Sequence, residues 1–347
     1  MRLASYHRSR GNDVRLVRGI SGTDGFQPDR IEVTSLFTYA WQPVHEAIRF
    51  YRKQFPNARI RVGGIYATLM PSHLRSNVGV RGLELKRGLY EEIEHYMPDY
   101  EILEEVDKWK GWETSMVFTS RGCVRNCPFC VVPRIEGRLR SKASEIINQI
   151  YPKHKKVTIW DNNFLASPDW KKALNLLRDL AVSIDFNQGL DARLVDQDNA
   201  SLLSDFKMPF VRMAYDSPMS KKAISRAVAL FSENGIKPRR ILFYVLYNFY
   251  DHKRKKGDTP TFFLDRIRYI SELGCVSYPM RYEPANSLKK NQYVSPLWTP
   301  EKLELIAKAR RVIGYGGAFP PYEGLVKKFN QASQFDEAFS LSPRLAG

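Results

Sequence analysis

The chain has 347 residues, of which 43% are hydrophobic and 12% aromatic, so it can bury a sizeable core and is not a wholly disordered protein. Lys and Arg number 54 against 37 Asp and Glu, and the formal net charge of +17 favours a polyanionic partner such as nucleic acid, although a surface charged for solubility explains the excess equally well. No apolar run reaches the roughly 18 residues of a membrane helix, and the basic N-terminus lacks the apolar core of a signal peptide. We therefore expect a cytoplasmic protein without a membrane partner.

The first 75 residues predict a partial α/β unit. Strands are expected at 14–17, 31–37 and 59–62, with a helix that ends between His7 and Gly11 and another over 44–55. Strands that alternate with helices form parallel sheets. Residues 76–111 are acidic and weakly periodic, so we interpret them as a connector.

Six strand-like runs alternate with helical segments between residues 112 and 290. The strands are predicted at 115–119, 157–160, 182–186, 210–215, 241–246 and 276–281. The helices are predicted at 143–150, 170–180, 199–203, 221–234 and 261–273. Six such units predict a partial parallel (β/α)6 barrel, since the complete form needs eight. Residues 291–347 are expected to form a C-terminal extension, with a helix at 300–312 and a Gly- and Pro-rich loop at 314–322.

Three of the four cysteines fall on one short loop after a predicted strand. Cys123, Cys127 and Cys130 have the spacing C-x3-C-x2-C, which argues against a disulfide framework and favours reduced thiolates that bind a metal. Three thiolates can hold three irons of a [4Fe–4S] cubane and leave the fourth iron open. The alternative is a zinc site, which needs a fourth ligand such as Cys275 or a distant histidine like His154.

The loop resembles the signature of the radical S-adenosylmethionine (SAM) enzymes. In Cys123-x3-Cys127-x-Phe129-Cys130 the aromatic residue matches the one whose backbone faces the adenine, and the flanks 118–122 and 131–141 resemble the methylthiotransferase branch. The resemblance implies that the open iron binds the amino and carboxylate groups of SAM. It also implies a reducing partner such as flavodoxin or ferredoxin, whose electron releases a 5′-deoxyadenosyl radical from SAM.

The resemblance extends to polar residues at the ends of later strands. The run 160–164 is similar to the family's contact to the SAM amino group, and the run 187–193 suits the ribose hydroxyls and the SAM carboxylate. Helix capping or turn formation is the alternative for each polar residue. The residues that the resemblance implies for cofactor binding are Phe129, Asp161, Asn162, Asn163, Asn187, Gln188, Asp191, Arg193, Asp216 and Tyr247.

The N-terminal unit resembles the Rossmann-like cobalamin-binding domain that precedes the barrel in many radical SAM enzymes. The matching pieces are Tyr6-His7-x3-Gly11-x2-Val14 and the run 61–71, so we expect a truncated Rossmann-like parallel-sheet domain over residues 1–75. The chain has no Asp-x-His-x2-Gly motif, which supplies the axial histidine to cobalt in that family, and we therefore do not expect cobalamin. The N-terminal region also has no cysteine for a second cluster, which argues against methylthiolation.

One of three basic runs follows a predicted strand on the side of the cysteine loop. This run, 252–256, is the better candidate for gripping phosphates, whereas the runs 153–156 and 237–240 precede strands at the opposite end. We expect a radical SAM enzyme that modifies a sizeable substrate, such as a nucleic acid, by methylation, methylthiolation or rearrangement. The alternative is a non-catalytic iron–sulfur or zinc protein that binds nucleic acid. The role of Cys275, as a small buried hydrophobe or a second catalytic thiol, stays open, as does the oligomeric state.

Overall fold

The computed structural model describes residues 1–22, 24–313, 318–319 and 323–341. Within these residues the chain is mixed α/β, with its longer strands in parallel sheets. Of the predicted loop at 314–322, only Ala318 and Phe319 lie inside the described residues.

The N-terminal region forms a three-stranded parallel sheet in the order β1-β2-β3. Its core packs the buried side chains of α2 and α3, such as Ile48 and Tyr66, against Ile60 and Val62 of the central strand. The elements are α1 (Arg2–Arg8), β1 (Arg30–Ser35), α2 (Trp41–Gln54), β2 (Arg59–Gly63), α3 (Gly64–Leu69), α4 (Pro71–Asn77) and β3 (Glu84–Leu85).

Two predictions for this region need correction. No strand forms at 14–17, because these residues have no neighbouring strand to pair with and the backbone N–H of Leu16 donates instead to the Glu105 carboxylate, 2.6 Å away. The sheet also extends into the segment predicted as a connector, since β3 pairs with β2. A two-residue strand carries too little alternation to be recognised in a sequence.

The six strands predicted between residues 112 and 290 are confirmed. They form two parallel sheets, β4-β7-β8 and β9-β10-β13. A single parallel bridge between Leu190 and Met213 joins them, and the hydrogen bonding of the described strands does not close a barrel. The strands are β4 (Thr114–Val117), β5 (Ser120–Arg121), β6 (Arg140–Ser141), β7 (Lys156–Ile159), β8 (Ser183–Phe186), β9 (Val211–Ala214), β10 (Ile241–Tyr247), β11 (Tyr250–Asp251), β12 (Lys256–Gly257) and β13 (Val276–Arg281).

Amphipathic helices cover these sheets. In α8, Ile224, Ala227, Val228 and Phe231 are buried at the spacing of one helix face. The helices are α5 (Val132–Ile135), α6 (Trp170–Asp179), α7 (Gln197–Ser204), α8 (Lys221–Glu233) and α9 (Pro260–Glu272).

The helix predicted at 143–150 is wrong, since two short 3-10 turns, Ala143–Glu145 and Ile147–Gln149, stand in its place. The Gln149 side chain explains the difference. Its amide pairs with the backbone N–H and carbonyl of Phe118, both at 2.9 Å, which holds the segment against the end of β4.

The C-terminal helices complete the core. They are α10 (Pro300–Ile313), α11 (Glu323–Gln331) and α12 (Phe335–Phe339). Phe335 and Phe339 of α12 pack against Trp298 and Phe263. None of the helices in the described ranges is both long enough and apolar enough to cross a membrane.

Candidate functional site

A short antiparallel ladder closes the loop that carries the three clustered cysteines. Strand β5 pairs with β6, so that Ser120 lies opposite Ser141. Gly122 follows β5 with a φ of +78°, and a Cβ at this position would overlap the carbonyl group of Arg138. Only glycine accepts both this φ and this close backbone approach, which explains why the cysteine motif begins with one.

Glu136 holds the same loop from its far side. Its carboxylate accepts hydrogen bonds from the Gly122 N–H and from the Asn162 side-chain amide, both at 2.9 Å, and from Arg121 at 3.3 Å. The sequence interpretation missed Glu136, because no local pattern links a glutamate to a backbone N–H 14 residues earlier in the chain. The loop is therefore held by the chain itself, through groups that leave the thiols free.

Arg121 connects the loop to the N-terminal region. Its side chain is only 6% exposed and donates to both carboxylate oxygens of Glu94, at 2.7 and 2.9 Å. Glu94 also accepts from Arg2 of α1 at 2.8 Å. Burial alone would raise the pKa of Glu94, but the hydrogen bonds and charges of Arg121 and Arg2 outweigh burial and lower it. The ion pairs thus fasten α1 to the base of the cysteine loop.

The three thiols line one pocket of about 380 Å³, near the carboxyl ends of β7, β8 and β9. The Cys123 sulfur accepts from the Arg125 N–H at 3.3 Å, and burial raises the pKa of the Cys127 and Cys130 thiols. Within the described ranges, no group of three or more His, Cys, Asp or Glu side chains has the spacing of a preformed metal site. Of the predicted residues, the pocket also brings together Phe129, Asn162, Asn163, Gln188, Asp191, Arg193 and Asp216.

Among the predicted cofactor contacts, Asn163 makes a side-chain hydrogen bond to one of the thiols. Its side-chain nitrogen is 3.8 Å from the Cys123 sulfur and 3.4 Å from a carboxylate oxygen of Asp191. The residue is 4% exposed, and its side-chain oxygen has no hydrogen-bond partner among the described residues. A buried amide oxygen without a donor is suited to accept from an ammonium group.

Asp191 lies between two arginines at the pocket wall. Arg193 donates to its two oxygens at 2.7 and 2.9 Å, and Arg125 donates at 3.1 Å. Burial alone would raise the pKa of Asp191, but the hydrogen bonds and charge of Arg193, together with the charge of Arg125, lower it. The Asp191 carboxylate is therefore ionised, and both of its oxygens accept hydrogen bonds. It holds the guanidinium groups of Arg193 and Arg125 beside the thiols.

Asp161 does not reach this pocket. Its carboxylate accepts from the N–H and hydroxyl of Thr119, at 2.7 and 2.6 Å, and from the Ser120 hydroxyl at 2.6 Å. Burial raises its pKa to about 6, although these hydrogen bonds act in the opposite direction. Asp161 thus links the end of β7 to the end of β4 by hydrogen bonds, beside the cysteine loop.

The remaining predicted residues divide between the pocket and the core. Asp216 lines the pocket and accepts from the Leu246 N–H at 3.0 Å, and burial raises its pKa. Tyr247 is 2% exposed and packs between Phe263 and Trp298, so it points away from the pocket. Asn187 also lies outside the pocket lining, and its carbonyl group accepts from the hydroxyl of a tyrosine on β10.

The two residues that the sequence suggested as a fourth zinc ligand are engaged elsewhere. Cys275 is fully buried, burial raises its pKa to about 12, and its thiol donates to the Leu273 carbonyl. The two ring nitrogens of His154 contact the Ser115 hydroxyl and the Trp112 carbonyl, each at 3.0 Å. Neither residue lines the pocket of the three thiols.

A second pocket, of about 540 Å³, lies on the other side of Phe129 and Cys130. It is bounded by the junction of α3 and α4, by the cysteine loop, and by residues 282–286. His73 lines it and is hydrogen-bonded through Tyr66 to His45, with distances of 2.7 and 2.8 Å. The sequence interpretation missed this histidine–tyrosine–histidine chain, since its members lie on three different helices.

No known protein family matches the chain, and no curated protein matches it significantly. The functional proposal therefore depends on the cysteine loop and the residues that line its pocket.

Proposed function

We propose that the chain is a radical SAM enzyme in which Cys123, Cys127 and Cys130 hold three irons of a [4Fe–4S] cluster. The observation that carries the proposal is that one pocket is lined by these three thiols together with buried polar groups such as Asn163. Thiolates are the ligands that iron–sulfur clusters prefer, and a site with three of them leaves one iron open. A structural zinc ion needs a fourth protein ligand, and Cys275 and His154 are engaged elsewhere.

We further propose that the two three-stranded sheets are the halves of an open (β/α)6 barrel. The strands are parallel and follow chain order within β4-β7-β8, and the Leu190–Met213 bridge joins the halves. The cysteine loop and the polar residues lie at the carboxyl ends of the strands, where barrels of alternating strands and helices place their chemistry.

When bound, such a cluster supplies the electron that cleaves SAM and releases a 5′-deoxyadenosyl radical, which abstracts a hydrogen atom from the substrate. Asn163 offers its free amide oxygen to the SAM ammonium group. Arg193, 46% exposed, has N–H groups left over after its contacts with Asp191, and these would donate to the SAM carboxylate. Gln188 is exposed at the same wall and would hydrogen-bond the ribose hydroxyls.

Asp161 and Asp191 act as positioning residues in this proposal. Asp191 orients Arg193 and Arg125, and Asp161 fixes the strand end from which the cysteine loop departs. The electron comes from a reducing partner such as flavodoxin or ferredoxin, and the loop is open to such a partner at Val124, which is 58% exposed. Three of the four cysteines belong to the proposed cluster and Cys275 is buried, so these residues offer no second cluster. This argues against methylthiolation and favours a methylation or a rearrangement.

Anaerobic reconstitution with iron and sulfide tests the metal assignment. The wild-type protein should bind about four irons and show the broad visible absorption of a cluster, and Cys123→Ala, Cys127→Ala and Cys130→Ala should each lose it. Cys275→Ala is the matched control and should keep the cluster. Zinc binding in place of iron would support the non-catalytic alternative, and a full cluster in all three variants would contradict the assignment of these cysteines as ligands.

A further inference from the structure

We propose that the substrate of this enzyme is a single-stranded stretch of nucleic acid, bound in a groove that runs from the second pocket to the basic hairpin β11–β12. This inference rests on the function proposed above and names the substrate class of the same site. The groove is defined by Arg134, His73, Tyr282, Phe249, Tyr250 and residues 252–256.

The two pockets of the groove adjoin each other. The second pocket shares Pro128 and Tyr282 with a further pocket of about 450 Å³, which Phe249, Tyr250 and His252 line with their neighbours. The cysteine loop borders this path along its length. Phe129 and Cys130 line the second pocket and also the thiol pocket, and Asn126 and Pro128 line the further pocket. A substrate in the groove would thus place one group beside the site of radical formation and leave the rest along the hairpin.

Positive charge is concentrated at both ends of the groove. Lys253, Lys255 and Lys256 are exposed on the hairpin and have no carboxylate within ion-pair distance among the described residues, where the hairpin's ion pair is that of Arg254 with Asp251. Arg134 is exposed at the cysteine-loop end and likewise has no side-chain partner in the described part of the chain. A surface cation without an ion-pair partner can bind a phosphate at little cost in free energy, because no existing ion pair must first be broken.

Two carboxylates lie near these cations and are engaged locally. Asp251 accepts from the backbone N–H groups of Lys253 and Arg254, at 3.0 and 3.3 Å, and its other oxygen is 3.6 Å from the Arg254 side chain. Glu283 accepts from the Asn291 N–H at 2.7 Å through one carboxylate oxygen, and its other oxygen is buried without a partner among the described residues. Asp251 shapes the hairpin turn and neutralises only Arg254, so three lysines remain for a polyanion.

Aromatic rings are interleaved with the charges. Phe249 contacts Phe129 of the cysteine loop at 5.6 Å and Tyr282 at 4.9 Å, and Tyr282 in turn contacts Tyr293 at 5.5 Å, all edge to face. These rings are half-buried, so each keeps part of its surface open to a ligand. Exposed aromatic surface beside unpaired cations is the combination that binds single strands, since bases stack on the rings and phosphates meet the charges.

The pocket beside the cysteine loop suits a base taken out of its stack. Its volume of about 540 Å³ lies within the range of small-ligand pockets, and His73 and Asn286 offer hydrogen-bonding groups to a base edge. Tyr66 and His45 hold His73 from behind. Base pairing would keep a duplex nucleotide out of such a pocket, which is why the groove favours a single strand.

Binding of fluorescently labelled RNA and DNA oligonucleotides to the full chain, measured by anisotropy over a range of salt concentrations, tests the inference. We expect single strands to bind more tightly than the matched duplex. Lys253→Ala/Lys255→Ala/Lys256→Ala should weaken binding at least tenfold and reduce the slope of log K against log salt by about 2, because each neutralised phosphate contributes about 0.7. Tyr282→Leu should weaken binding about tenfold without changing the slope.

The matched control is Lys153→Ala/Lys155→Ala/Lys156→Ala, three lysines at the opposite strand ends, which should change binding less than twofold. Equal losses from the two triple variants, tighter binding of duplex, or equal binding of an acidic peptide would each overturn the inference. The assay contains neither reductant nor SAM. A wild-type protein that failed to form a cluster or to cleave SAM would thus contradict the proposed function separately, with the binding result still valid.

Discussion

The side-chain amide of Asn163 donates to the sulfur of Cys123 over 3.8 Å and thereby links the turn after β7 to the cysteine loop. The same nitrogen lies 3.4 Å from Asp191, which follows β8, so three strand ends meet at one point. Cysteine, amide and carboxylate come from segments 40 and 28 residues apart in the chain.

Asp191→Ala should weaken SAM binding about tenfold, because Arg193 and Arg125 lose the carboxylate that orients them beside the thiols. Isothermal titration of the reconstituted, unreduced protein with SAM measures the affinity. Cluster absorption should stay at the wild-type level, since Asp191 contacts no thiol. Unchanged affinity would contradict the pocket proposed for SAM.

Asp161→Ala should act on stability instead of on SAM affinity. The variant leaves the buried hydroxyls of Thr119 and Ser120 without their acceptor, which costs about 1–3 kcal/mol for such groups. Urea unfolding should show this loss, and SAM affinity of the folded variant should stay within about twofold of the wild type. A large loss of affinity with unchanged stability would place Asp161 in the pocket after all.

Gly122→Ala should disrupt the cysteine loop far more than Gly137→Ala. Both residues have a positive φ, of +78° and +76°, so each alanine carries a similar backbone strain of about 1 kcal/mol. A Cβ at Gly122 would overlap the Arg138 carbonyl, whereas one at Gly137 meets open space. The measurement is cluster content after reconstitution, which should fall sharply only in Gly122→Ala. Similar losses in both variants would mean that backbone strain, and not the close approach, explains the glycine.

His45 should make the fold sensitive to mild acid. Burial, followed by the charges of Arg49 and His73, lowers its pKa to about 4, against about 6.5 in an unfolded chain. As the pH falls, His45 is therefore protonated in the unfolded chain before it is protonated in the folded protein. The contribution of neutral His45 to the free energy of unfolding is complete above pH 6.5 and is lost as the pH falls toward 4. Between pH 7 and pH 5 the wild type should lose about 2 kcal/mol more than His45→Phe.

Urea unfolding of both proteins at the two pH values measures this difference. The raised pKa values of Asp161 and Asp258 act in the opposite direction over the same range, but they are common to both proteins and cancel in the comparison. An identical pH dependence of the two proteins would show that His45 titrates normally.

Most of the regular structure could be predicted from the sequence, because each long strand is a local run of aliphatic and aromatic residues. Strand β10, for example, is almost wholly buried, and its seven residues are all aliphatic or aromatic, as expected of a parallel strand covered on both faces. The cysteine spacing was equally local. Both signals needed no knowledge of the tertiary contacts.

The direction of individual side chains was not predictable in this way. Asp161 and Asn163 both follow β7, yet the first turns to Thr119 and the second to the thiols. Tyr247, at the end of β10, turns into the core. The direction in which each side chain points depends on the residue at which the strand ends. The ion pair of Arg121 with Glu94 joins residues that are 27 positions apart in the chain. Sequence spacing contains neither fact.

The release of 5′-deoxyadenosine tests the central claim most directly. The reconstituted wild-type protein, given a strong reductant and SAM, should form 5′-deoxyadenosine slowly even without its substrate. Cys123→Ala, Cys127→Ala and Cys130→Ala should form none, and Cys275→Ala should match the wild type. A wild-type protein that carries a complete cluster and binds SAM, but releases no 5′-deoxyadenosine under these conditions, would contradict the account.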